Sequence, residues 1–405
     1  MRNLARTLEA GGAVVGGVLS GTSGDGIDVA LCRLEVGDFK AGPRPVGVEH
    51  LEFACTPFPE ELGLRVRGVL DGEASSLGEL ARLHRDLGVA FGDAVAALCR
   101  QSGLEPVCVG SHGQTVWHHD GAPAGERATL QLGDADHVAQ AAGCWVVSDF
   151  RQADLASGGE GAPLSALVED VLFRGVARPA AVLNLGGIGN LTILGQGAGV
   201  LAARDTGPAG SLLDGLARRL LNAPMDAGGA AAMEGCVDEG LLRCWMEHAF
   251  FEGGARSTGR DTFGEVWVEE CLAAAREAEV GGSADLLATG AGFVAQAVAW
   301  ALEREAPQGL ERLIVSGGGV HNARLMAELR ARTGLRVESS GEHGVAPDAR
   351  EALGFAVLAA GCALGWGWGA PEATGGERGR VLGRLSPPPV SQEPDEAKEG
   401  VPEPS

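Results

Sequence analysis

GGVLSGTSGDGIDVALCRL, residues Gly16 to Leu34, sets a run of glycine, serine, threonine and aspartate between two apolar stretches. Val14-Val15 on one side and Val29-Ala30-Leu31-Cys32 on the other read as strands, so the polar middle reads as the turn of a hairpin. Hydroxyls and the amides of a glycine turn donate to anionic oxygens, which suits phosphate. The stretch lacks the lysine of a Walker loop, and no helical pattern follows it. Any phosphate bound here is therefore held by the amides of Gly21 to Gly26 and the hydroxyls of Ser20, Thr22 and Ser23.

Working outward, the same theme returns once. AAVLNLGGIGNLTIL, from Ala180, is again strand, glycine turn at Gly186-Gly187, strand. A third glycine cluster, SGGGVHN from Ser316, follows the strand-like LERLIVS and leads into a helical pattern. A glycine turn at a helix start offers free amides to a nucleotide. Two hairpins, one opening each half of the chain, read as a duplicated α/β domain whose turns face each other across a cleft. Each cluster alone also reads as an ordinary structural turn; the order of the three is the more specific signal.

The rest of the chain fits this organisation. At 405 residues it is long for one core, so two domains are expected. Residues 1–13 read as a loose extension, 14–147 with 355–385 as the first domain, and 148–354 as the second. The end, SPPPVSQEPDEAKEGVPEPS (386–405), is proline-rich and acidic and reads as a disordered tail. A formal net charge of -22 argues against nucleic-acid and anionic-membrane partners. No stretch reads as long enough to span a bilayer. Nine cysteines without a CxxC pair read as buried, reduced thiols of a cytoplasmic protein.

Three elements in this order resemble the superfamily of sugar kinases, heat-shock proteins and actin. The closer motifs LSGTSGDGID, GSHGQTVWH, DFRQADLASGGEGAPL, LNLGGIGNLT, DTGPAG, STGRDTFG and SGGGVHN resemble the bacterial anhydro-N-acetylmuramic acid kinases, over about Val14 to Leu385. The resemblance implies two RNase-H-like domains of the actin and hexokinase type, with ATP and Mg2+ in a central cleft. It implies that 1,6-anhydro-N-acetylmuramic acid, ATP and water give N-acetylmuramic acid 6-phosphate and ADP, in cell-wall recycling. The implied partner is a small sugar, and a homodimer is left open. This chain departs from the family at Ala209-Gly210, where Gly-Asn is usual, and at Arg151-Gln152-Ala153-Asp154, where an arginine run is common.

On that frame the turn Gly21, Thr22, Ser23, Gly24, Asp25, Gly26, Ile27 and Asp28 meets the nucleotide, as do Gly186 and Gly187. Gly317, Gly318, Gly319 and Asn322 approach adenine and ribose. Mg2+ supplies the positive charge that the turn lacks, with Asp25 acting on it directly or through water. Both Asp25 and Asp28 also read as plain turn residues. His112, Gln114 and Thr115, in a polar turn after a strand, offer the neutral donors and acceptors a sugar needs. His118 and His119 have no partner at ligand spacing and are not read as a metal site. Arg151 suits the substrate's carboxylate. Glu351 is a second substrate candidate, although an acid at a helix start is favourable anyway. Asp205, in a turn after a short strand, is the candidate general base for the attacking water; a helix N-cap is its plainer reading.

Overall fold

The computed structural model describes residues 2–21, 24, 26–40, 42–119, 122–197, 199–253, 258–259, 262–368, 371–376 and 379–389. Thr22, Ser23 and Asp25, three of the expected phosphate-turn residues, lie outside them, as do 390–405 of the expected tail.

The opening hairpin forms as read: β1 (Val14–Ser20) pairs antiparallel with β2 (Gly26–Gly37), and β2 with β3 (Arg44–Pro57). On its other side β1 pairs parallel with β4 (Cys108–His118), which also pairs antiparallel with β5 (Thr129–Leu132) and parallel with β6 (Trp145–Ser148). The second hairpin is β7 (Ala180–Leu185) with β8 (Ile188–Leu194), followed by β9 (Val200–Pro208). β10 (Arg312–Ser316) joins β7 in parallel, and β11 (Arg336–Ser339) joins β10. The spatial orders β3-β2-β1-β4-β6 and β9-β8-β7-β10-β11 are the same pattern used twice. These are the two RNase-H-like sheets that the resemblance implies.

Seven helices position the sheets: α1 (Arg2–Glu9), α2 (Leu77–Ser102), α3 (Ser165–Leu172), α4 (Gly210–Leu220), α5 (Ser283–Glu305), α6 (Ala323–Thr333) and α7 (Arg350–Ala363). α2 starts on a capping box, Ser76 with Glu79, and ends at Gly103 in the left-handed conformation. Its Leu87, Phe91 and Val95 cover the outer face of the first sheet, while α4 and α5 cover the outer face of the second. α3 and α7 lie between the sheets. The core around them draws Val15 and Leu19 from the first sheet and Val182, Ala203 and Ile314 from the second.

Two glycines let α7 lie flat on the first sheet. Gly17 on β1 and Gly110 on β4 are register partners. A Cβ on Gly17 would come within 1.8 Å of the Ala352 carbonyl oxygen, and one on Gly110 within 2.1 Å of that of Phe355. α7 is also tied to α3 by an ion pair between Arg350 and Glu169, both buried. Burial brings the Arg350 guanidinium down to about 10, and nearby Glu351 pulls the other way. Removing one partner of such a pair strands the other charge, at a cost of about 3–5 kcal/mol.

Several expectations are corrected. Residues 2–9 are not loose: α1 buries Leu4 and Leu8 in the core between the sheets, because their i,i+4 spacing gives it one apolar face. Ser386 is not tail; it closes β12 (Arg384–Ser386), which pairs with β6 and extends the first sheet. Among the described residues one helix, α5, is long and apolar enough to cross a membrane by composition, but 89% of its apolar window is buried inside the fold. Cys55, Cys236 and Cys244 are exposed, whereas Cys32, Cys108, Cys144 and Cys271 are buried.

Gly110→Ala is expected to destabilise the protein by about 1–3 kcal/mol or more, since its methyl meets backbone, which cannot rotate away. A urea-denaturation midpoint equal to that of the parent chain would show that α7 does not rest on this glycine.

Candidate functional site

Strand alternation decides what faces the space between the sheets. On β7, Ala180 and Val182 belong to the inter-sheet core, so Asn184 points the same way beyond them. Asn184 is the register partner of Asn190 on β8 and of Ser316 on β10, and Asn190 is the partner of Asp205 on β9. Register partners share a face. The result is a polar row, Asp205–Asn190–Asn184–Ser316, across four strands. Ser316 and Asn184 are buried, and Asp205 is 6% exposed.

Asp205 therefore sits inside a nine-residue strand rather than in a turn. It does not cap α4 either: the N-cap there is Ala209, which has no side-chain cap. The first amides of α4 are instead taken by the second hairpin turn. Gly210 donates to the Gly186 carbonyl at 2.9 Å, and Ala209 and Ser211 donate to that of Gly187 at 2.8 and 3.0 Å. One Asp205 carboxylate oxygen accepts from the Asn190 amide and the other from the Thr258 backbone N–H at 2.8 Å. The carboxylate is thus aimed by donors on both oxygens.

At the facing end of the first sheet, SHGQT is not a turn after a strand. β4 runs through it and bulges between Ser111 and Gly113, the residues paired with Val18 and Leu19. Gly113, at φ +77°, absorbs the extra residue. The bulge turns His112 onto Phe355 of α7, with rings stacked 4.3 Å apart. His112 Nε2 accepts from Arg151 Nη2 at 3.1 Å and lies 3.4 Å from Thr115 Oγ1. A guanidinium only donates, so the imidazole proton belongs on Nδ1. That Nδ1–H is buried and has no partner. Burial first, then the Arg151 charge, holds His112 well below its ordinary value, so it is neutral at pH 7.

Gln114 donates from Nε2 to the Gly21 carbonyl at 3.1 Å, tying β4 to the chain just after β1. Its Oε1, Ser20 Oγ and Ser111 Oγ are buried and have no partner among the described residues. Gly24 donates back to the Gly21 carbonyl at 3.1 Å. Ile27 buries its side chain in the outer core, leaving only backbone for a ligand. Asp28 is a strand residue paired with Leu19 rather than a turn cap.

Arg151 uses much of its fork inside the protein: Nη1 donates to the Gly161 carbonyl at 2.9 Å, and Nη2 to His112. Burial lowers its guanidinium to about 10, while Glu351 pulls it back up. Glu351, in the first turn of α7, accepts from Asn184 Nδ2 at 2.8 Å and so joins the two sheets. Gly317 packs against Asn184 and Leu185, Gly319 packs on Leu185, and Gly318 alone of the three faces open space. The glycines do not open α6 directly. A 3-10 turn over Gly318–His321 intervenes, and Asn322 caps α6 through the Leu325 N–H at 3.0 Å.

The whole chain can now be compared with known proteins. The model of the anhydro-N-acetylmuramic acid kinase family matches residues 13–388. The chain belongs to that family. Similar relatives carry the same name: one from Salinibacter ruber, 39% identical over 92% of this chain and 96% of its own; one from Gloeobacter violaceus, 35% identical over 92% and 98%. Among solved structures, a ROK family glucokinase from Streptomyces griseus in complex with glucose and AMPPNP is 15% identical, with TM-score 0.37 over 86% of this chain and 99% of that one.

Sequence reasoning named Asp205, His112, Arg151 and Glu351 but missed Asn184, Asn190, Thr258 and Phe355. The two asparagines carried a readable signal, being polar residues on the apolar phase of strands inside LNLGGIGNLT. Phe355 carried none, lying in an apolar helix.

A neutral native His112 has a pH signature. The unfolded chain takes up this proton near pH 6.5, while the folded chain resists it. Stability is therefore full above pH 6.5 and falls as pH drops below it, with a slope of up to about 1.4 kcal/mol per pH unit from this residue. Urea unfolding between pH 7 and 5 is expected to show a shallower slope in His112→Gln than in the parent. Identical slopes would mean that His112 titrates normally.

Proposed function

We propose that the chain phosphorylates 1,6-anhydro-N-acetylmuramic acid with ATP while water opens the anhydro bridge, giving N-acetylmuramic acid 6-phosphate and ADP in cell-wall recycling. Family membership over nearly the whole folded chain supports this reading. The observation that carries its chemistry is the aimed Asp205 carboxylate in the polar row between the sheets.

The substrate has no free 6-hydroxyl, because O6 is bonded to C1. Asp205 takes a proton from water as the water oxygen bonds to C1. The C1–O6 bond breaks, O6 bonds to the γ-phosphorus, and ADP leaves with the electrons of the broken P–O bond. General-base help of this kind contributes about 10²–10⁴ in rate, roughly 3–5.5 kcal/mol of barrier. Asn190 and the Thr258 amide hold the carboxylate in place for it. His112 offers its unpartnered Nδ1–H to a sugar oxygen, and Arg151 holds the ring in that tautomer. Glu351 and Asn184 link α7 to the second sheet at this polar row.

The unpartnered Ser20 hydroxyl and Gln114 carbonyl, with the open side of Gly318, fit a nucleotide lying across the two hairpins. The described residues hold no cluster of three metal-ligating side chains. An ATP-borne magnesium asks for only one or two carboxylates, and Asp25, which lies outside the described residues, is the one we assign to it, directly or through water. When bound, the metal would balance the charge that the lysine-free turn does not. Reading the lobes as 14–147 with 355–385 and 148–354, and the protein as cytoplasmic, belongs to the same proposal.

With ATP, Mg2+ and anhydro-N-acetylmuramic acid, the product is expected to be heavier than the sugar by phosphate plus water. A gain of phosphate alone would indicate an ordinary hydroxyl kinase. In Asp205→Asn, ADP release and appearance of a reducing end are expected to fall together by about 10²–10⁴. Normal ring opening without phosphate ester would remove Asp205 from the role of base.

A further inference from the structure

A cavity of about 640 Å³ lies away from the polar row. It lies at the other end of the second sheet, between the start of β3, helix α3, the loop before β7, the start of β9 and the chain after α7. Val200, on its wall, is five residues before Asp205 on β9, which at about 3.3 Å per residue puts them roughly 16 Å apart.

Three arginines line it, Arg44, Arg174 and Arg178, against one carboxylate, Asp170. Asp170 pairs with Arg178 at 2.8 Å, so two guanidinium charges are left over. This is notable in a chain of net charge -22. Arg174 makes only a 3.3 Å hydrogen bond to the Val46 carbonyl. Among the described residues the Arg44 side chain has neither an ion pair nor a hydrogen bond. It lies between two rings, 4.1 Å from the centre of Phe39 and 5.0 Å from that of Trp366. Stacking holds a guanidinium by its faces and leaves its N–H edge for an acceptor in the plane. Arg44 Nε and Arg178 Nη1 are buried donors without partners. Buried charged donors are costly unless satisfied, so the unmet donors point to an anionic ligand.

We propose that this cavity is a second ligand site, distinct from the cleft, for a small organic phosphate monoester. The phosphate dianion meets the two uncompensated guanidiniums and the free Arg178 donor in the forked geometry arginine gives to phosphate. The organic part lies against the aromatic wall of Phe39 and Trp366. The volume suits a ligand of sugar-phosphate size. Because its walls come from both sheets and from α3, an occupant spans the two lobes on the side away from the cleft.

Isothermal titration of the full chain with glucose 6-phosphate, inorganic phosphate and glucose tests this. Glucose 6-phosphate is expected to bind saturably and more tightly than inorganic phosphate, and glucose not at all. The double variant Arg44→Gln, Arg174→Gln is expected to weaken glucose 6-phosphate binding at least about tenfold, as loss of one charge-assisted hydrogen bond requires. Its turnover of ATP and anhydro sugar without added ester, and its melting temperature, are expected to match the parent. Equal glucose 6-phosphate affinity in parent and variant would place the ligand in the cleft and overturn the proposal. Inorganic phosphate binding as tightly as the ester, or no saturable binding by the parent, would overturn it too.

Discussion

The contact of α7 with a side-chain-free patch of the first sheet, at Gly17 and Gly110, is the constraint on which the rest depends. Adjacent glycines on paired strands let a helix backbone reach the sheet surface. Every residue of α7 is then fixed in height and rotation. Phe355 arrives over His112, Glu351 arrives at Asn184 of the opposite sheet, and Arg350 arrives at Glu169 of α3. One close approach thus sets a ring stack, a bridge between lobes and a buried ion pair.

The two lobes contribute different chemistry through the same topology. The second sheet supplies a row of amides and hydroxyls ending at a carboxylate. That row exists because antiparallel register puts Asn184, Asn190 and Asp205 side by side. The first sheet supplies a neutral imidazole, amide and hydroxyl groups at the ends of β4 and β1. Its bulge at His112 is what turns a strand residue toward the helix layer. A carboxylate held by two donors and an imidazole kept neutral by burial and a neighbouring cation are complementary settings for chemistry on a sugar.

Electrostatics is handled locally. The chain carries a large negative charge, yet four of its arginines sit in particular settings: Arg350 inside the helix layer, Arg151 beside His112, and Arg44 with Arg174 at the far cavity. Each of the first two is desolvated and loses some of its affinity for a proton, though not enough to be neutral at pH 7.

Sequence alone determined the hairpins, the duplication and the family, because these rest on local signals: strand periodicity, glycine turns and motif order. It also named Asp205 and His112, which lie within those motifs, and Glu351, which opens a helical pattern. Tertiary structure alone decided their surroundings. Asp205 read as a turn residue because TGPAG follows it, yet cross-strand pairing with β8 extends the strand through Pro208. Residues 2–9 read as loose because two leucines are a weak pattern, and only a core waiting to receive them makes α1. Asn322 read as a ligand contact, and the structure adds that its Oδ1 caps the helix that follows. Register, burial and capping depend on partners far away in the chain, and a linear sequence does not display which partners will meet.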